Sequence, residues 1–349
     1  MRIFTALTAA AAITALSLPS YAGSEKSCGA KECSHSAAAK LTVPRDTSFT
    51  PWSTYKKTLK RHPDIILASD KMPAGVELRE DVVYTTLCGT PYSPRPLHAD
   101  VMRPADGKTY PALVLIHGGG WNSGSKLNLR AIGARIASKG YVVIPIEYRL
   151  IPEQVYPAGL HDAKTAIRYV RSHAKELGVD PSKIAIGGTS AGAQLATLTG
   201  VTNGEPGHEG DGEWKGTSSA VQAIVSIDGI ATFVTDENIA SVIDHQKRKG
   251  ELHCSAQWLG GNYADSKSNW HHASAVEWIT PDSPPICFVN SLLPRYHEGR
   301  DDLMAQYDAL GIHNERHDVE IDIHPFWFFA PYIDQAAEHI TAFLGKILK

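Results

Sequence analysis

Cysteine is scarce in this chain, with five in 349 residues, at positions 28, 33, 88, 254 and 287. They are too few and too scattered to be the disulfide framework of a small stapled fold, and the odd number leaves at least one unpaired within the chain. Cys28 and Cys33 lie in a polar, Ala/Ser-rich stretch over 24–40, where an oxidising compartment would permit a local bridge. A Cys/His metal site using His35 lacks a second pair of ligands, so no metal is expected. An excess of one charge is missing too. Lys and Arg total 34 against 37 Asp and Glu, a net charge of −3, which leaves no electrostatic footprint for nucleic acid. Apolar length is confined to residues 3–18, which follow Arg2 and precede Pro19-Ser20-Tyr21-Ala22. That run is shorter than the roughly 20 residues a membrane span requires. Its basic start and the small residues at Ser20 and Ala22 predict a cleaved secretory signal over 1–22 and a periplasmic or secreted mature protein with no stable membrane span.

What is present is ample core material, 43% hydrophobic residues with 20% charged, the profile of a soluble globular protein. Residues 23–74 carry a polar tail and then Pro44, Pro51, Pro63 and Pro73 among amphipathic stretches, which predicts an arm laid over the domain. Strand alternation follows at Val76, Leu78 and 82–84, and again at 97–102. From Ala112 the pattern changes to short apolar runs at 112–116, 141–146, 184–186 and 221–227, separated by helical spacing over 127–139, 159–177 and 191–199. Such runs are strands buried on both faces, and their alternation with helices predicts an α/β fold with a mostly parallel central sheet and helices on both faces. No repeat or long linker divides it, so one catalytic domain over 75–349 is expected. An insertion near 232–282, with Trp258, Trp270, Trp278 and Gly260-Gly261, interrupts it before strand character resumes at 285–289. The last apolar strand signal is 319–323, and 333–348 reads as a closing amphipathic helix.

Chemistry concentrates where these strands end. Gly188-Thr189-Ser190-Ala191-Gly192 lies between a β-branched run and a helix, the context in which a serine stands clear of the backbone above helix N–H groups. Any side chain at Gly188 or Gly192 would collide where strand and helix converge. A serine hydroxyl needs a base and donors for a developing oxyanion. His117-Gly118-Gly119-Gly120-Trp121 follows the 112–116 strand, and the N–H groups of Gly119, Gly120 and Ala191 make the candidate oxyanion hole. A phosphate loop would end in Gly-Lys-Ser/Thr; that ending is missing, and Lys126 stands too far on. His117 reads as a structural residue beneath the loop. Of sixteen histidines, His324 alone sits at the end of the last strand signal and is the candidate base. The orienting acid is sought between 288 and 324, with Asp301 first, Glu298 second and Asp302 third. Trp121 and Trp327 flank the site as candidate substrate contacts, and no cofactor is required.

These residues, together with Tyr148-Arg149-Leu150, Tyr156-Pro157-Ala158 and Asp162, carry a pattern that resembles the α/β-hydrolase esterases of the hormone-sensitive-lipase and carbohydrate-esterase type. The stretches 290–302 and 324–327 further resemble bacterial secreted esterases that remove acetyl groups from plant polysaccharides such as pectin and xylan. The resemblance implies the α/β-hydrolase fold, Ser190 as nucleophile, His324 as base and an acid between them, with Asp162 and the Tyr148-Arg149 turn structural. The pattern is broken after 285–289, where Leu293-Pro294 stand in place of an early Asp. The expected function is a secreted serine carboxylesterase removing short acyl groups, acetyl above all, from carbohydrate or polysaccharide. The alternatives are a formamidase or peptidase on the same scaffold and a non-catalytic carbohydrate-binding homologue.

Overall fold

The computed structural model describes residues 41–349, so the expected signal segment and the Cys28 and Cys33 pair lie outside the described residues. The chain runs α1 (Pro51–Thr58), β1 (Ile66–Leu67), β2 (Val76–Leu87), β3 (Arg95–Pro104), β4 (Tyr110–Ile116), α2 (Arg130–Ala137) and β5 (Val142–Ile146). It continues through α3 (Ala158–Ser172), α4 (Ala174–Leu177), β6 (Val179–Thr189), α5 (Ala191–Val201), α6 (Pro206–Glu209) and β7 (Ala223–Ile227). Three helices follow, α7 (Asp236–Lys249), α8 (Cys254–Trp258) and α9 (Tyr263–His272), before β8 (Ile286–Asn290), α10 (Arg300–Leu310), β9 (Asn314–Asp318), β10 (Phe329–Ala330) and α11 (Tyr332–Leu348).

Eight strands form one sheet in the order β2-β3-β5-β4-β6-β7-β8-β9. The β2–β3 and β3–β5 pairs are antiparallel, and every pair from β5 onward is parallel. The inner strands are apolar throughout because both faces are covered. Val114, Ile144, Ile186 and Ile224 point to the side where α3 and α5 contribute Leu160, Ile167 and Leu195. Their neighbours in sequence, Leu113, Leu115, Val143 and Val225, point to the opposite side, against Ile132 and Ile136 of α2 and Ile340 and Phe343 of α11. All eleven residues of α5 are buried, which is why it carries Ala, Gly and Thr where a surface helix would carry charge.

Crossing from strand to helix in a parallel sheet brings the strand C-termini to one edge, the edge where such sheets hold their ligands. At that edge β6 turns into α5 so tightly that side chains are excluded. A Cβ at Gly188 would lie 2.1 Å from the Gly192 carbonyl oxygen, and one at Gly192 would lie 2.2 Å from that of Ile116 on β4. Ser190 at the apex has φ 54° and ψ −122°, a conformation non-glycine residues rarely adopt.

The structure corrects one strand. The apolar alternation over 319–323 does not form it; the edge strand is the polar segment β9, and Val319 to Ile323 follow it as irregular chain. An edge strand has one neighbour and is largely exposed, so polar residues suit it. Val319 and Ile323 are buried because the chain tucks back beneath the sheet edge, held by Val319 N–H to the Asn290 carbonyl at 2.7 Å and Leu292 N–H to that of Ile321 at 2.9 Å.

The N-terminal arm has a role that its sequence does not announce. Ile66 and Leu67 pair with Ala330 and Phe329, and Ala68 N–H donates to the Phe328 carbonyl at 2.8 Å. Phe49 packs on Phe328 with ring centres 5.8 Å apart, and Tyr55 on Phe329 at 6.5 Å. At its other end Asp46 bridges to Ser123, in the loop after β4. The arm therefore straps together the segment after His324 and the glycine loop. Phe49→Ala is expected to cost about 1–2 kcal/mol of stability, since a half-buried ring loses part of the 3–5 kcal/mol of a fully buried one. It should also lower turnover, with Phe49→Leu recovering most of both; urea denaturation and steady-state kinetics on the same preparations check this.

Candidate active site

Three strand ends and one loop meet at the C-terminal edge of the sheet. Ser190 stands at the tip of β6, its N–H donating to the Ile227 carbonyl at 2.8 Å, which ties the turn to the end of β7. His324 reaches over from the loop beyond β9, and its Nε2 lies 3.0 Å from Ser190 Oγ. Its Nδ1 lies 2.9 Å from Oδ2 of Asp228, the residue directly after β7. With Nδ1–H donating to the carboxylate, Nε2 is left as an acceptor for the serine hydroxyl.

The carboxylate that meets His324 is thus Asp228, not Asp301, Glu298 or Asp302. Asp301 is 71% exposed and accepts from Arg300 Nε at 2.8 Å, while Glu298 accepts from the Thr235 hydroxyl. Together with Asp302 they line a depression with Glu237 and His297, away from the imidazole. The physical reason is that β8, where the acid was sought, ends in Asn290 and Ser291, which serve the acid of the neighbouring strand. Ser291 N–H and Oγ–H each donate to the Asp228 carboxylate at 2.7 Å, and Asn290 Nδ2 lies 3.4 Å from it. Asp228 is fully buried, and these donors and the imidazole N–H stand around its carboxylate in place of water. The Asp301 carboxylate contributes only at a distance: it holds the buried Arg300, whose Nη1 donates to Asn290 Oδ1 at 3.2 Å. A sequence signal for Asp228 did exist. It is the acidic residue that ends an apolar strand next to the one carrying Ser190, with φ 49°, a left-handed conformation Asp tolerates better than most residues.

His324 is 11% exposed, held between the face of Tyr296, with ring centres 3.5 Å apart and planes at 13°, and the edge of Trp327 at 5.0 Å. Burial lowers its pKa below the usual histidine value against the opposing pull of Asp228.

The glycine loop after β4 lies against the serine. A Cβ at Gly118 would come within 2.8 Å of that of Ser190, and Gly118 N–H donates to Thr189 Oγ1 at 3.1 Å. Gly119 adopts φ 128°, and its carbonyl is turned away to accept from the N–H groups of Asn122 and Ser123. That orientation leaves the N–H groups of Gly119, Gly120 and Ala191 outside the backbone bonds that pin the rest of the loop. Burial pushes the His117 pKa down to about 4; neutral, it lies 2.8 Å from the Gly118 carbonyl through Nδ1 and packs at a tilt against Tyr148, with ring centres 4.7 Å apart, bracing the loop. Lys126 lies at 2.5 Å from Asp100 and 2.9 Å from Asp81, an ion-pair cluster that leaves it no role at the loop.

Neither tryptophan lines a substrate surface. Trp121 is 6% exposed, bonded through Nε1 to Gln194 at 3.2 Å and stacked on Trp258 at 5.0 Å, and Trp327 is 1% exposed. Both lie beneath the site, Trp121 locking the glycine loop to the segment after β7 and Trp327 backing the histidine, because rings of this size are most stabilising when desolvated. Arg149 and Asp162 form a buried bidentate pair that joins the turn after β5 to α3.

A strained serine between strand and helix, a histidine from a late loop and a buried acid, on this sheet order, define an α/β-hydrolase. The family model BD-FAE matches residues 99–292, more than half of the chain, and the protein belongs to the BD-FAE family. Esterase LipC of Mycobacterium tuberculosis is 38% identical over 133 residues, 37% of this chain and 33% of the relative. Esterase LipQ of the same organism is 28% identical over 202 residues, 56% of this chain and 46% of the relative. The chain spans about a third to a half of the length of these curated relatives. Among solved structures, a truncated carbohydrate esterase from gut microbiota has a TM-score of 0.59 at 25% identity, covering 80% of this chain and 98% of that one. Esterase Est2 of Thermogutta terrifontis, in its butyrate-bound form, has a TM-score of 0.61 at 25% identity, covering 78% of this chain and 94% of that one.

Asp228→Asn keeps the shape of the acid but removes the charge that holds the Nδ1–H tautomer, and is expected to lower kcat by about 10^3- to 10^4-fold. Ser291→Ala, which strips one charge-assisted bond from Asp228, should cost on the order of 10-fold. Asp301→Asn should stay within about threefold of wild type. Steady-state kinetics on a chromogenic ester rank the three; a ranking with Asp301 first would return the acid to the loop after β8.

Proposed function

We propose that this protein is a serine carboxylester hydrolase that removes short acyl groups, acetyl above all, from carbohydrate. The observation that carries the reading is the continuous hydrogen-bonded line Ser190–His324–Asp228 beside a glycine loop packed against the serine. Ser190 Oγ attacks the ester carbonyl as its proton passes to His324 Nε2, and Asp228 stabilises the imidazolium that forms. The carbonyl oxygen, now an anion, takes hydrogen bonds from the N–H groups of Gly119, Gly120 and Ala191. His324 returns the proton to the departing alcohol, leaving an acyl-serine. Water attacks this by the same route in reverse, and the acid is released.

Support for ester substrates comes from the relatives, which are named as esterases, and support for short acyl chains and carbohydrate from the two solved structures, one binding butyrate and the other a carbohydrate esterase. Export fits the apolar segment at 3–18 and a disulfide-bonded Cys88, a bond that persists in oxidising compartments. Among the described residues no helix is long and apolar enough to cross a membrane.

Ser190→Ala should abolish hydrolysis of p-nitrophenyl acetate without loss of fold, and a fluorophosphonate should label the wild type and not the variant. Persistent hydrolysis by Ser190→Ala would remove the assignment; a panel of acetylated pectin, xylan and mannan, with an aryl formamide beside it, reads the substrate class. Only neutral imidazole accepts a proton, and burial lowers the His324 pKa, so activity should persist below the ordinary histidine value and be lost as pH falls through the lowered one. A plot of log kcat/KM against pH should therefore bend below 6.5, and a bend above it contradicts the buried base.

A further inference from the structure

Arg295 is an exposed cation at the rim of the site, yet its side chain is held in place. Its guanidinium carbon lies 4.5 Å above the ring of Tyr296, and Nη2 donates to the Tyr296 hydroxyl. Tyr296 in turn stacks on His324 with centres 3.5 Å apart. These two separations laid end to end put the guanidinium no farther than about 8 Å from the imidazole centre. On the other side of the opening, α8 begins at Cys254, whose Sγ would lie 3.4 Å from a Cβ at Gly120. Burial first disfavours the protonated forms of His253 and His324, with the charge of Arg295 a smaller contribution at each, after that of His245 at His253.

Most of the other described arginines pair with a carboxylate. Arg45, Arg130, Arg300 and Arg316 each hold a carboxylate, whereas among the described residues none lies within ion-pair distance of Arg295. Asp228, the acid on this side of the site, is fully buried and already surrounded by donors, and Asp301 is engaged by Arg300. A guanidinium carries five N–H donors in a planar fork suited to a carboxylate, and stacking on a ring leaves its edge free for that bond. Because the stack fixes the fork beforehand, little rotamer freedom is lost when an anion arrives.

We propose that Arg295 is the recognition site for a carboxylate carried by the ester substrate, so that acidic esters are preferred over neutral ones of the same shape. This rests on the reading of Ser190 as an ester-cleaving nucleophile. The carboxylate comes either from the alcohol part, as in an acidic sugar, or from the acyl part, as in the half-ester of a dicarboxylic acid. Both present the same group to the fork.

The test compares kcat/KM within two pairs of substrates, at low salt and well above the acidic limb of the pH profile. In the first pair the charge is on the alcohol side, 4-acetoxybenzoate against 4-acetoxybenzamide. In the second it is on the acyl side, mono-4-nitrophenyl glutarate against 4-nitrophenyl pentanoate. The anionic-to-neutral ratio should fall on the order of 10-fold in Arg295→Gln for one pair, the pair identifying which part bears the charge. It should fall further in Arg295→Glu, and the wild-type ratio should decline in high salt. Ratios that stay within roughly twofold in both pairs for both variants overturn the site, that being no more than an exposed, screened charge would give. Hydrolysis of the neutral members by the wild type reports separately on the ester-cleaving reading.

Discussion

Between Gly192 and the Ile116 carbonyl there is no room for a methyl group, and the geometry of the whole site follows from that contact. The start of α5 can approach the end of β4 only if both surfaces are bare backbone, and the approach forces Ser190 into its left-handed conformation at the apex. The same closeness sets the glycine loop against the serine, since Gly118 continues directly from β4. The strain is borne by a fully buried helix on one side and strands paired on both edges on the other, which over-determine the turn. The contact thereby fixes the distance between Ser190 and the glycine loop.

The acid illustrates how adjacent strands share a task. Ile227 and Val289 are register partners, so the residues just beyond them, Asp228 on β7 and Asn290 and Ser291 on β8, project from neighbouring strand ends. Here β7 carries the charge, and β8 carries the hydroxyl and amides that make a fully buried carboxylate tolerable. The loop after β8 contributes Tyr296 instead, a flat wall for the base. The segment that reads from sequence as the source of the acid thus orients both the acid and the histidine without providing a charge to either.

The serine turn, the glycine loop and the histidine that meet in the fold were each legible in sequence, because each depends on a local pattern: a glycine-flanked serine between strand and helix, three glycines after a strand, a histidine after the last apolar alternation. The sheet was legible for the same reason, since strands buried on both faces cannot be polar. What escaped was decided by neighbours distant in the chain. Asp228 directly follows the β7 run, and its approach to His324, 96 positions further on, is made by the fold and by no local pattern. Trp121 and Trp327 adjoin the glycine loop and His324 in sequence, which suggests a substrate surface, but Trp258 and the His324 ring cover them. The edge strand escaped because exposure at β9 erased the apolar signal, while burial of the irregular chain after it imitated one.

The histidine is the member least anchored by the sheet, and this explains what surrounds it. Serine and aspartate each follow directly from a strand end; His324 lies on a loop whose hydrogen bonds to the sheet are the few that tuck 319–323 under β8. A base held so loosely would lose the alignment on which proton transfer depends. Packing replaces pairing: Tyr296 covers one face of the ring, Trp327 abuts it edge-on, and Phe328 and Phe329 are gripped by Phe49, Tyr55 and the short β1–β10 ladder of the arm. Since the arm also meets the glycine loop at Ser123, His324 and that loop share one brace, and displacement of one is resisted by the packing of the other. The aromatic shell that fixes the ring also desolvates it, so the base is held in place and kept neutral by the same contacts.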